Sequence, residues 1–183
     1  IAYHQQALTI YLATVGELHY DIAITYDCLG TCYFGKGNYD QAIIYHQQAL
    51  PICLATLGEQ HRTAALIYSN LANAYFNKSA FDQAIIYYQQ SLTISLVTLG
   101  KQHAQIAIIY NNMGTCYLSK DNCDQAIIYY QQSLAIALVA LGKQHIYIMI
   151  PYAGLAVCNG HKGDYDQAIM YIRKAMSICL TIL

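Results

Sequence analysis

Apolar and polar positions follow a helical period in two alternating kinds of segment. In one, Tyr68, Leu71, Ala72 and Tyr75 fall at i, i+3, i+4 and i+7, the spacing of a single helix face. In the other, Ala84, Tyr88, Ser91 and Ser95 fall at i, i+4, i+7 and i+11, while Gln89 and Gln90 mark the wet side. Small residues on the packed face let neighbouring helices approach closely, and tyrosines fill the gaps. The spacing predicts a first helix over 63–77 and a longer second helix over 82–99, joined by a tight turn at Lys78-Ser79-Ala80. Its counterpart Gly35-Lys36-Gly37 shows the turn chemistry more openly. Asp82, just ahead of the apolar periodicity, suits an N-cap or a first-turn site.

This pair of segments recurs every 42 residues. Asp-Gln-Ala-Ile begins at Asp40, Asp82, Asp124 and Asp166; His19, His61, His103 and His145 keep the same step, as do Gly16, Gly58, Gly100 and Gly142. Three markers in one register define an internal repeat. The 183 residues hold four full periods, 16–57, 58–99, 100–141 and 142–183, preceded by a second-type helix over 1–15. Ile1 aligns with Ile43 and Leu183 with Leu141, as though cut from a longer array, and neither end carries an obvious polar cap. The expected architecture is a single all-α domain over 1–183 with nine helices. Gly58, in the connector Gly58-Glu59-Gln60-His61, is expected to be a left-handed C-cap of the preceding helix.

The tyrosine, leucine and alanine pattern resembles the tetratricopeptide repeat (TPR) family. It reads Tyr26, Leu29, Gly30, Tyr33, Ala42 and Ala49 in the first copy. The next copies read Tyr68, Leu71, Ala72, Tyr75 and Ala84, then Tyr110, Met113, Gly114, Tyr117 and Ala126, with Ser91 and Ser133 at the later alanine. That family usually repeats every 34 residues or so. The 42-residue period, the connectors Leu57-Gly58-Glu59-Gln60-His61 and Leu99-Gly100-Lys101-Gln102-His103, and Asn111-Asn112 before Met113 resemble the kinesin light chain type. The resemblance implies a right-handed superhelical solenoid of helix-turn-helix hairpins whose first helices line a concave groove. Tyr20, Arg62, Ala104 and Ile146 stand where connectors of that type usually carry proline. The last copy departs further, with Asn159 at the tyrosine position and Pro151 and Gly154 inside its first helix, so a looser hairpin is expected there. Pro51, in the middle of a second helix, predicts a bend near Gln47–Pro51.

Composition narrows the function. Charged residues are only 10% of the chain and the formal net charge is -1, which argues against nucleic acid and anionic membrane surfaces. No apolar run is long enough to span a bilayer. Seven scattered cysteines suggest reduced thiols in a cytoplasmic protein, and without a secretory signal Asn77-Lys78-Ser79 is a chance sequon. There is no glycine-rich phosphate loop and no nucleophile motif, so the chain reads as a non-enzyme without cofactors. The periodic histidines, a full repeat apart, read as residues that cap or pack the next helix rather than as metal ligands. Cys32, Cys116 and Cys158 share a column with Ala74, which reads as a small buried packing position. The nineteen tyrosines mostly follow the repeat and read as core.

The asparagines carry the functional expectation. Asn70, Asn73 and Asn77 share one helix stripe, and Asn111 and Asn112, with Thr115 and Ser119, continue it in the next copy. An amide both donates and accepts, which suits an extended peptide backbone. Phe34, Phe76 and Leu118 are candidates for neighbouring apolar pockets. The expected role is protein–protein interaction, with an extended, uncharged or mildly apolar segment bound in the groove. The groove stripe lacks the Lys/Arg carboxylate clamp of chaperone-tail-binding relatives. The alternative is a structural spacer or a scaffold that self-associates through exposed array ends. Asn70 and Asn112 are the expected centre of the site, and their removal is expected to leave folding almost unchanged.

Overall fold

The structure, a computed structural model, describes the backbone of residues 1–182 and the side chains of residues 1–180. Among the described residues there are nine α-helices and no strand. Four pairs follow the leading helix α1 (Ala2–Thr14): α2 (Tyr20–Gly35) with α3 (Tyr39–Leu57), α4 (Arg62–Asn77) with α5 (Phe81–Leu99), α6 (Ala104–Ser119) with α7 (Cys123–Leu141), and α8 (Met149–His161) with α9 (Tyr165–Ile182). The chain forms two compact units, Ile1–Thr98 and a second from Leu99 onward. The division falls one residue from the 99/100 repeat boundary read in the sequence.

Each connector works through its histidine. His19, His61, His103 and His145 have extended backbones, and their Nδ1 atoms accept from the N–H groups of Asp21, Thr63, Gln105 and Tyr147 at 3.3, 3.2, 3.1 and 3.2 Å. This satisfies a donor that a helix start leaves orphaned, an N-cap built from imidazole rather than hydroxyl or amide. Gly58 and Gly142 have φ of 87° and 84° but ψ of 162° and 160°. They are therefore extended mirror-image residues rather than the left-handed cap expected at Gly58, a conformation open essentially to glycine alone.

The turn inside each hairpin also carries one residue at positive φ: Gly37, Ser79, Asp121 and Gly163, with φ of 74°, 59°, 56° and 80°. The conserved-register Asp residues sit in the first turn of the second helices. The N-caps are instead Asn38, Asn122 and Asp164, whose side chains accept from Gln41, Gln125 and Gln167, each at 3.1 Å. In the second copy the same position is Ala80, which has no side-chain acceptor.

Packing follows the expected faces. Leu29, Ala42, Ala49, Leu71, Ala72, Ala84 and Ala126 are fully buried, and Tyr88, Ser91 and Ser95 nearly so. The tyrosines build a stacked set in each of the first three hairpins. Tyr33 lies on Tyr45 at 5.3 Å, Tyr75 on Tyr87 at 5.3 Å and Tyr117 on Tyr129 at 5.2 Å between ring centroids. The last hairpin has Asn159 in place of the upper ring, and Lys174 sits over both Tyr152 and Tyr171 instead. Pro51 does not end α3, which continues to Leu57 with the proline on its exposed side. The last first-helix starts as a 3-10 turn at Ile146–Ile148, so Pro151 falls in the first turn of α8, where its missing N–H is no loss.

Candidate functional site

In unit 1 the face in question is built on α4, with α2 beside it. Leu66, Asn70, Asn73 and Asn77 lie at i, i+4, i+7 and i+11, so they line one side of the helix. Leu66 is 52% exposed, a large apolar side chain left in water on an otherwise polar stripe. Its α2 counterpart, Ile24, is half-buried. The asparagine stripe alone did not reveal Leu66. The signal was one turn earlier in the same register.

The asparagines are not simply solvated. Asn70 is half-buried, and its Nδ2 donates to both carboxylate oxygens of Asp27 at 3.1 and 3.4 Å. Asp27 is itself buried, and its Oδ1 lies 2.8 Å from Nδ1 of His46, which is 1% exposed. The His46 ring fits because Gly30 faces it; a Cβ on that glycine would come within 2.6 Å of the ring. Asn73 accepts from the Tyr88 hydroxyl. Asn77 is exposed, and its Nδ2 donates to the Asn73 carbonyl at 2.9 Å. Phe34 and Phe76, expected to line pockets, pack on their own hairpin turns against Tyr39 at 5.4 Å and Phe81 at 5.6 Å.

In unit 2 the same register is Ile108, Asn112, Thr115 and Ser119 on α6, followed by Ile150, Gly154, Val157 and His161 on α8. Asn112 is half-buried and Ser119 exposed. Thr115 Oγ1 accepts from the Tyr130 hydroxyl at 3.2 Å and donates to the Asn111 carbonyl at 3.0 Å. Asn111 is buried rather than solvated, and its Oδ1 has no hydrogen-bond partner. Leu118 packs against the cluster of Ala126, Tyr130, Leu155 and Cys158. Ile150 and Val157 are exposed. Burial pushes the Tyr130 and Tyr147 hydroxyls up to about 12.

Electrostatically both faces are quiet. The ion pairs at the hairpin turns, Lys78 with Asp40 and Lys162 with Asp124, are solvent-exposed and contribute little to stability. Among the described residues no three His, Cys, Asp or Glu side chains converge to hold a metal ion, and no helix is long and apolar enough to cross a membrane. All seven cysteines are free.

Comparison with known proteins agrees with this geometry. A family model described as tetratricopeptide repeat matches residues 1–55, 21–96, 63–138 and 105–181. No curated protein matches the sequence. Among solved structures, BtubC (BKLC) from P. vanneervenii is 24% identical, with a TM-score of 0.90 over 99% of this chain and 72% of that one. A candidate kinesin light chain from Podosopora anserina with nearly identical TPR-like repeats is 20% identical, with a TM-score of 0.82 over 98% of this chain and 85% of that one. The apo form of RapI is 18% identical, with a TM-score of 0.81 over 96% of this chain and 63% of that one. At these identities the likeness is one of fold.

Proposed function

Because the chain belongs to the tetratricopeptide repeat family, we propose that it is a protein–protein interaction module holding an extended polypeptide on the face of its first helices. The observation that carries this reading is the α4 stripe in unit 1. There an exposed leucine, Leu66, stands in line with Asn70, Asn73 and Asn77. Internal bonds take the Asn70 Nδ2 and the Asn73 Oδ1. They leave, among the described residues, the Asn70 Oδ1 as an acceptor and the Asn73 Nδ2 as a donor. Each amide is thereby held in a fixed orientation, which lowers the entropy lost when a ligand binds.

A backbone needs one acceptor and one donor per residue pair, and the two remaining amide ends supply them. Leu66 would take an apolar ligand side chain. In unit 2, Asn112 and Ser119 would play the polar part and Ile108, Ile150 and Val157 the apolar part, with Asn111 and Thr115 supporting from below. Phe34, Phe76 and Leu118 would shape the turn end of the face. The ligand would be uncharged or mildly apolar, the role non-catalytic, the array one functional module and the location cytoplasmic.

The test is selection of random peptides on the immobilised chain. Enrichment of uncharged extended sequences that is lost with Leu66→Asp supports the reading. Selection of acidic or basic peptides, or enrichment indifferent to Leu66, overturns it.

A further inference from the structure

At the turn end of unit 2, two departures from the repeat meet a buried cysteine. Position 123 is Tyr39, Phe81 or Tyr165 in the other copies but Cys123 here. Position 161 is Gly35, Asn77 or Ser119 elsewhere but His161 here, while Cys158 keeps the cysteine that Cys32 and Cys116 place in its column. The Cys123 sulfur lies 3.8 Å from His161 Nδ1. Cys158 is fully buried, and Cys123 packs against the α7/α8 cluster that contains it, close enough for the two side chains to share a hydrogen bond. The thiol is half-buried beside an open depression lined by Asp121, Asn122, Cys123, Asp124, His161 and Lys162.

We propose that Cys123 and Cys158 form a peroxide-responsive thiol pair, with His161 as the group that takes the Cys123 proton. The thiolate is the form that attacks peroxide. Cys123 is the first residue of α7, directly after the N-cap Asn122, where the helix dipole favours negative charge. The Lys162 ammonium, paired with the Asp124 carboxylate, lies near both sulfurs. Burial, followed by the neighbouring Cys123, pushes the Cys158 thiol up to about 12, so Cys158 keeps its proton and is the second partner, not the first.

The chemistry balances in two steps. The Cys123 thiolate attacks one oxygen of hydrogen peroxide; the S–O bond forms, the O–O bond breaks, and hydroxide leaves with Cys123 oxidised to a sulfenic acid. The proton held by His161 neutralises that hydroxide. The Cys158 sulfur then attacks the Cys123 sulfur, the S–O bond breaks, and the Cys158 proton leaves with the hydroxyl as water. The product is a disulfide that ties α7 to α8.

The test uses the intact chain, reduced and then exposed to hydrogen peroxide, with peptide mass spectrometry against time. Exposed Cys179 sets the rate of an unassisted thiol. Cys123 is expected to oxidise about tenfold faster than Cys179, a modest general-base effect, and to appear as a Cys123–Cys158 disulfide. His161→Asn should bring Cys123 close to the Cys179 rate. Cys158→Ala, which copies Ala74, should stop the reaction at a sulfenic acid that dimedone captures. The proposal is overturned if Cys123 is no faster than Cys179, if His161→Asn changes nothing, or if oxidised Cys123 in the unmutated chain forms no bond to Cys158. Should Cys158→Ala not fold, the rate and product in the unmutated chain decide alone.

Discussion

The two units solve one packing problem with different chemistry. In unit 1, position 27 is Asp, position 46 is His and position 70 is Asn, and the three form one buried hydrogen-bonded set. Two periods later the same positions are Asn111, Tyr130 and Gly154. The Tyr130 ring fills the place of His46 but is larger, and it presses on the backbone of both Gly114 and Gly154. A Cβ on Gly154 would come within 2.4 Å of the ring. The Tyr130 ring leaves no room for a Cβ at Gly154, and glycine brings no amide donor. Asn111 Oδ1 is therefore left without a partner where Asp27 has two. One aromatic side chain replaces a polar network, and the displaced partner is lost with it.

The largest expected effect comes from breaking the polar version. Asp27→Ala leaves His46 and Asn70 with unpaired donors in a buried place and should destabilise unit 1 by about 3 kcal/mol. Asn111→Ala, the equivalent change in unit 2, removes an atom that already lacks a partner and should cost about 1 kcal/mol or less. Denaturant unfolding, read by hydrogen exchange in each unit, separates them; equal losses would erase the contrast.

Next comes the aromatic version. Gly154→Ala should cost roughly 1–3 kcal/mol by overpacking against Tyr130. Tyr130→His should remove most of that penalty, so a double-mutant cycle should show strong coupling. Additive effects would mean that Tyr130 is not what Gly154 accommodates.

Asn70→Ala should cost about 1–2 kcal/mol through the Asp27 carboxylate, measured by thermal melting. The purely solvated asparagine expected from the sequence would be worth almost nothing, so an unchanged melting temperature would restore that expectation.

The smallest contrast concerns pH. Unit 2 holds Tyr130, Tyr147, Cys116 and Cys158, all pushed up to about 12 by burial. The folded state thus keeps protons that the unfolded chain releases from about pH 9–10 upward, and stability falls as pH rises through that window. The groups raised in unit 1, Cys28, Cys53, Tyr68 and Tyr75, have less pronounced shifts. Hydrogen exchange between pH 8 and 11 should show unit 2 opening first.

Much of the fold was legible because the repeat states it four times. The small-residue faces, the helix pairs and the capping role of the histidines all follow from columns 42 residues apart. The backbone state of Gly58 was not legible, because positive φ is compatible with two values of ψ and only the connector's path selects one. The candidate face was half legible. Helical spacing placed Asn70, Asn73 and Asn77 on one side, but it could not show that Asp27, forty-three residues away, takes the Asn70 amide. Nor could it distinguish Asn111 from Asn112, adjacent residues on opposite sides of a burial boundary. Phe34 and Phe76 looked like pocket walls because the aromatics that cover them, Tyr39 and Phe81, lie across the turn.

The most direct test of the proposed binding face is calorimetric titration of a selected extended peptide into the unmutated chain, Asn73→Ala and Asn112→Ala. One or two lost hydrogen bonds are worth about 0.5–1.5 kcal/mol each, so each variant should bind about three- to tenfold more weakly. Affinity should change little between low and high salt, because the face carries almost no charge to screen. Unchanged affinity in both variants, or binding that collapses with salt, would contradict the account.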